Sequence, residues 1–183
     1  MDLYLVFSQT GTWLSTVLKF FIRDKYVHTS FSFSEKLDCM YSFGRINPNN
    51  PFSGGFVIED LRTGVYKRNV NSECIIYKFK ITKKQYNTLQ KSLANFTKNS
   101  KNLKYNFLGL FAVAVNKSMN RKNHHFCSQF VAELFIEAGI FKSNKSPDLF
   151  RPNDILQHLN TYEKIYEGYI IDYVTNYDSL VGE

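Results

Sequence analysis

Apolar and polar residues alternate along this chain in a way that separates strand-like runs from amphipathic stretches. Leu3 to Phe7 reads as a short extended run, Ser8 to Gly11 as a polar loop, and Thr12 to Arg23 as a helix with Trp13, Leu14, Val17, Leu18, Phe20 and Phe21 on its apolar face. His28 to Phe33 and Cys39 to Arg45 flank the turn Glu35-Lys36-Leu37-Asp38, which predicts a hairpin. Phe56 to Leu61 and Cys74 to Ile81 are two further strands, and the Asn- and Pro-rich run 47–51 and Ser53-Gly54-Gly55 are loop signals. Thr82-Lys83-Lys84-Gln85 fits a capping box, and Tyr86, Leu89, Leu93 and Phe96 continue from it as a helical face that breaks at Asn99 to Asn102. Tyr105 to Val115 is apolar almost all round, which predicts a helix buried under the one that follows. Lys164 to Val174 reads as one long closing strand, with a frayed tail after Asn176.

The stretch from Asn123 to Ile140 carries the chemistry. Cys127, Phe130, Val131, Leu134, Phe135 and Ala138 recur at helical spacing, and Gly139 supplies the stop. Cys127 thus falls in the first turn, where the helix dipole and unpaired N–H groups favour thiolate and can receive an oxyanion. A cysteine on an apolar helical face is also a common core residue, so position alone leaves both readings open. The upstream run Lys25-Tyr26-Val27-His28-Thr29-Ser30-Phe31 adds a histidine near the start of a strand. A base on a strand facing a cysteine at a helix N-terminus is the geometry of papain-like enzymes. That reading requires the Cys127 sulfur and a His28 ring nitrogen to lie within about 3–5 Å of each other.

The order of these two elements, histidine strand first and Cys-Ser-Gln-Phe-Val-Ala helix last, resembles the circularly permuted branch of the NlpC-type papain-like superfamily, with its YiiX-like and lecithin retinol acyltransferase-related members. The resemblance implies a single α+β domain over residues 1–183, an antiparallel sheet packed against helices, and the nucleophile at a helix N-terminus. It also implies that Gln9 and Thr10 lie beside the pocket, although helix capping by Thr10 or Thr12 accounts equally well for these polar residues. The return strand places Ser42 and Gly44 beside His28 if even-numbered positions share a face. Ser42 stands where many relatives carry a Glu, His, Asn or Gln that orients the imidazole. A serine hydroxyl can accept a hydrogen bond from the ring, but it cannot stabilise imidazolium as a carboxylate does.

Composition narrows the classes. A chain of 183 residues with 44% hydrophobic content, 17 Phe and 12 Tyr can bury one sizeable core. Its net charge of +7 favours anionic partners weakly, and the lysines between Lys78 and Lys104 are spread as on a solvated face, so nucleic-acid binding is not expected. Cys39, Cys74 and Cys127 are an odd set without metal-type pairing, which suggests a reducing compartment, with Cys39 and Cys74 structural. The N-terminus lacks a basic leader pattern and the longest apolar run is too short to span a bilayer, so a cytoplasmic protein without an integral membrane segment is expected. No cofactor or metal is implied.

The expected activity is that of a thiol hydrolase, a cysteine peptidase or amidase acting on an amide or ester of a peptide-, amino-acid- or lipid-containing small molecule. Cys127 is the nucleophile, His28 the base, and Ser42 the candidate orienting residue. The alternatives are a lipid acyltransferase or thioesterase, and a non-catalytic module that binds a ligand or protein in the same groove. His124 and His125 are nearest to Cys127 in sequence, but side chains two and three residues before a helix-starting thiol usually diverge from it. His158 is expected at an exposed position on a short helix begun after Pro152.

Overall fold

A computed structural model describes residues 1–10, 24–47, 50, 53–159 and 162–181. The helix expected over 12–23 lies outside the described residues.

Among the described residues, a six-stranded antiparallel sheet runs β4-β3-β2-β1-β5-β8. Its strands are β1 (Asp2–Gln9), β2 (His28–Ser32), β3 (Met40–Arg45), β4 (Gly54–Glu59), β5 (Glu73–Lys80) and β8 (Glu163–Tyr169). The remaining pair, β6 (Lys104–Tyr105) and β7 (His124–His125), forms a separate parallel ribbon. The helices are α1 (Gly64–Arg68), α2 (Lys83–Lys98), α3 (Phe107–Ala114), α4 (Cys127–Glu137), α5 (Pro152–Gln157) and α6 (Ile170–Val181). No helix of the described residues is long and apolar enough to cross a membrane.

Both faces of the sheet are covered, because side chains along a strand alternate in direction. Leu3, Leu5 and Phe7 of β1 join Phe31, Phe43, Phe56 and Phe79 in a core with Leu89 and Leu93 of α2 and Phe130, Val131, Leu134 and Phe135 of α4. The opposite set, Tyr4, Val6, Met40, Cys74 and Ile76, packs with Leu37, Leu61, Tyr66 of α1, and Ile170 and Tyr173 of α6. Phe130 is fully buried, and its ring lies 5.0–5.9 Å from those of Phe31, Phe43, Phe56 and Phe96. It therefore clamps α4 across β2, β3, β4 and α2. The capping box at Thr82 is present, with Gln85 bonding back to the Thr82 backbone.

Two expected elements differ. The chain after Lys164 is not one strand: β8 ends at Tyr169 and α6 begins at Ile170, whose N–H donates to the Ser72 carbonyl. Ile170 and Tyr173 then recur at helical spacing against the second core, a period that the apolar run Tyr169-Ile170-Ile171 hides. The helix expected across Tyr105 to Val115 starts only at Phe107, because Asn106 caps it by accepting from the Gly109 N–H and Tyr105 pairs with His125. It is not buried all round. Leu110 and Val113 pack with Val27 and Phe126, while Leu108 and Phe111 are 56% and 46% exposed.

Candidate active site

Cys127 is the first residue of α4, and the residue before it, Phe126, supplies no capping side chain. Its first-turn N–H groups are therefore open to another acceptor. The His28 ring and the backbone N–H groups of Thr29 and Ser128 act on the sulfur in the sense that favours its thiolate. When protonated, the thiol has the Val27 carbonyl as its acceptor at 3.8 Å.

A break in the sheet makes this contact possible. The β2–β3 ladder consists of one pair, Phe31 with Tyr41. Continuing that antiparallel register would set Thr29 against Phe43 and His28 against Gly44. Instead the Thr29 carbonyl is diverted to accept from the Ser42 hydroxyl at 2.7 Å, and the Thr29 N–H is among the groups that favour the Cys127 thiolate.

That second bond corrects the expected role of Ser42. Its hydroxyl is fully buried and bonded to the Thr29 and Phe43 carbonyls, so it serves the backbone rather than the imidazole. The His28 ring is held by Glu59, the last residue of β4, with Nε2 2.9 Å from Oε2. This bond leaves Nδ1 for the sulfur. Glu59 comes from one strand further than the expected position and reaches across β3 where Gly44 has no side chain. A Cβ at Gly44 would lie 3.2 Å from Glu59 Oε1 and 3.5 Å from His28 Cε1. Glu59 is the residue that sequence reasoning missed. Its only sequence signal is the acidic pair Glu59-Asp60 that closes the apolar run Phe56-Val57-Ile58.

The electrostatics follow from this geometry. Burial opposes the charged imidazolium of His28, but the Glu59 carboxylate and the Cys127 thiolate outweigh it and hold His28 well above the ordinary histidine range. Burial likewise opposes the thiolate of Cys127, yet the His28 hydrogen bond and charge, with the two backbone donors, bring its pKa below that of a free thiol. The two shifts together favour a thiolate–imidazolium pair. Cys74, by contrast, is pushed up to about 12 by burial alone.

Tyr105 is a further neighbour that the sequence did not single out. Burial first, and then the adjacent Cys127 and its hydrogen bond, hold the phenol well above its usual pKa, so it is a neutral donor to the sulfur. Its close approach to the sheet depends on Gly54, where a Cβ would lie 2.6 Å from Tyr105 Cβ. Tyr66 stands near Glu59 with its hydroxyl 3.2 Å from Ser8 Oγ.

The other histidines are placed elsewhere. His125 pairs with Glu133 at 3.1 Å and lies between the Phe43 and Phe96 rings. His124 donates its Nδ1–H to the Lys122 carbonyl, 2.7 Å away. His158 is not exposed as expected but half-buried, stacked on Phe141 at 4.6 Å. Among the described residues, no group of three or more His, Cys, Asp or Glu side chains is arranged to hold a metal ion. Comparison with protein-family models, curated proteins and solved structures finds no match to this chain.

Proposed function

We propose that this protein is a cysteine hydrolase of the permuted NlpC-type papain-like kind, acting on an amide or ester through Cys127, His28 and Glu59. The observation that carries the reading is the chain of contacts from Glu59 to His28 to the Cys127 sulfur, with the thiol pKa lowered and the imidazole pKa raised. A structural cysteine packed for its apolar character has its pKa raised, as Cys74 does.

The steps follow from these groups. The Cys127 thiolate attacks the carbonyl carbon, forming a C–S bond as the carbonyl electron pair moves to oxygen. The His28 imidazolium gives its proton to the leaving amine or alcohol as that bond breaks. A water molecule then attacks the thioester, His28 takes its proton, and the thiolate leaves with the acid product released. Cys127 is only 1% exposed, so a carbonyl reaches the sulfur only after a covering side chain shifts. The Tyr105 hydroxyl, already directed at the sulfur, is the described donor able to exchange that bond for one to the oxyanion. Acyl transfer to an alcohol or amine uses the same first half and differs only in the second nucleophile.

The test compares two substitutions with opposite expected effects. Glu59→Gln keeps a hydrogen-bonding group but removes the charge, and should lower turnover on a p-nitrophenyl ester by roughly 10–150-fold, the worth of a hydrogen bond to a charged group. It should also move the basic limb of the pH profile downward, because His28 loses the carboxylate that raises its pKa. Ser42→Ala should leave turnover within about threefold while costing about 1–3 kcal/mol of stability, since a buried carbonyl loses its donor. Equal and small effects on turnover would sink the triad and favour a non-catalytic binding module.

A further inference from the structure

One edge of the six-stranded sheet is open. β4 is its terminal strand and pairs only with β3. The bond from the Ile46 N–H to the Ser53 carbonyl fixes the phase of that ladder, because hydrogen-bonded pairs recur at every second residue of an antiparallel pair. Gly55, Val57 and Glu59 therefore turn their main-chain groups to β3, while Gly54, Phe56 and Ile58 turn theirs outward. Tyr105 closes the edge at Gly54, where a Cβ would lie 2.6 Å from Tyr105 Cβ. At Phe56 and Ile58 the outward N–H and C=O groups have no hydrogen-bond partner among the described residues. Sheets guard such edges with lysine, proline or a covering segment, and β4, Gly-Gly-Phe-Val-Ile-Glu, contains neither lysine nor proline. Ile58 there presents an apolar side chain that is 56% exposed.

This edge forms one side of a groove of about 490 Å³, whose other walls include residues 63–66 and Ser100 with Lys101. Its charges are matched except at one point. Arg45 lies against Glu59, Glu59 holds His28, and Asp60 faces Arg62, but Lys101 has no carboxylate partner among the described residues. We infer that the open edge of β4 is a docking site for an extended segment of a protein partner, which adds to the sheet as a further strand and sets an acidic side chain at Lys101. Main-chain pairing at Phe56 and Ile58 supplies the affinity, an apolar side chain of the segment meets the exposed Ile46 and Ile58, and the acidic one fixes the register. The walls that face β4 admit a single extended chain more readily than the sheet edge of a second copy of this protein. Docking at this edge is independent of the chemistry at Cys127.

The probe is the amidated peptide Glu-Thr-Val-Thr-Val-Thr-Glu carrying an N-terminal fluorescein, in which a glutamate at each end places one at Lys101 whichever way the strand runs. Amide hydrogen exchange followed by NMR reads the edge directly. In the free protein the Phe56 and Ile58 amides should exchange faster than those of Gly55 and Val57, and saturating peptide should slow them by about tenfold or more. In anisotropy titrations the affinity should fall by roughly 3–10-fold in Ile58→Pro, which removes one outward donor and leaves the ladder to β3 intact. Ile58→Lys, a change at an exposed position that the fold tolerates, should weaken the peptide as well. Lys101→Glu should weaken it by about threefold and tighten a version with lysine in place of both glutamates. Failure of about 1 mM peptide to protect the two amides, or equal affinity in the wild type and both Ile58 variants, overturns the docking edge. Slow exchange of both amides in the free protein overturns it too, and a dimer in sedimentation then names a second copy as the occupant.

Discussion

Replacing His28 by alanine should lower turnover by roughly 10²–10⁴-fold, the usual contribution of a positioned acid–base group, and should move the titration of Cys127 upward. The second effect is the more diagnostic, because it requires no knowledge of the substrate. In the intact site the His28 hydrogen bond and charge are the largest contributions lowering the thiol pKa, and burial is the contribution opposing them. Removing the imidazole leaves burial against the Thr29 and Ser128 backbone donors and the Tyr105 hydroxyl. Alkylation requires thiolate, which a lowered pKa preserves to lower pH. The midpoint of the wild-type rate against pH should therefore lie below the value of about 8.5 expected of a free thiol, and that of His28→Ala at or above it. At a pKa of about 8.5 only about 3% of a thiol is ionised at pH 7, so the thiolate fraction at that pH should be lower in His28→Ala than in the wild type. Cys74, held at about 12 by burial, should react more slowly than Cys127 in the wild type. An unchanged midpoint in His28→Ala would show that the imidazole does not act on the sulfur.

The largest loss of stability is expected from Phe130→Ala. Phe130 lies one helical turn after Cys127, and its ring is enclosed by four other phenylalanine rings on three strands and α2. Truncating a fully buried phenylalanine costs about 3–5 kcal/mol through lost transfer energy and the cavity left behind. In a domain of this size each kcal/mol lowers the melting temperature by about 2–4 °C, so a fall of roughly 6–20 °C should appear in thermal unfolding. A loss below about 1 kcal/mol by denaturant titration would mean that α4 is not anchored at this point. The same residue ties stability to chemistry, since α4 is the element that presents Cys127 to His28. At permissive temperature the variant should also show a smaller depression of the Cys127 titration midpoint.

Local sequence signals determined much of the molecule. Alternation and turn residues placed β1, β2, β3 and β5 to within one or two residues, because a half-buried or central strand needs its apolar side chains on fixed faces. The Thr82 capping box marked α2, since its donors and acceptors lie within one turn. The helical period from Cys127 to Ala138 marked α4 and set the thiol in its first turn, and the register of an antiparallel return strand put Gly44 beside His28. Where local pattern was ambiguous, packing decided. The run from Glu163 to Val174 is apolar at both periods, and only the covering of the second core divides it into β8 and α6.

The partner of His28 was beyond the reach of the sequence for a different reason. A strand position opposite His28 can be counted along the chain, but the counting assumes that the ladder continues. It stops at Phe31 and Tyr41, Ser42 turns to the Thr29 carbonyl, and a carboxylate 31 residues from His28 enters through the space left by Gly44. Tyr105 came to the sulfur from a segment whose apolar character suggested only burial. Period and capping are properties of neighbours along the chain and can be read from it. The pairing of a buried acid with a buried base is a long-range contact chosen by steric fit and desolvation, and those exist only once the chain has folded.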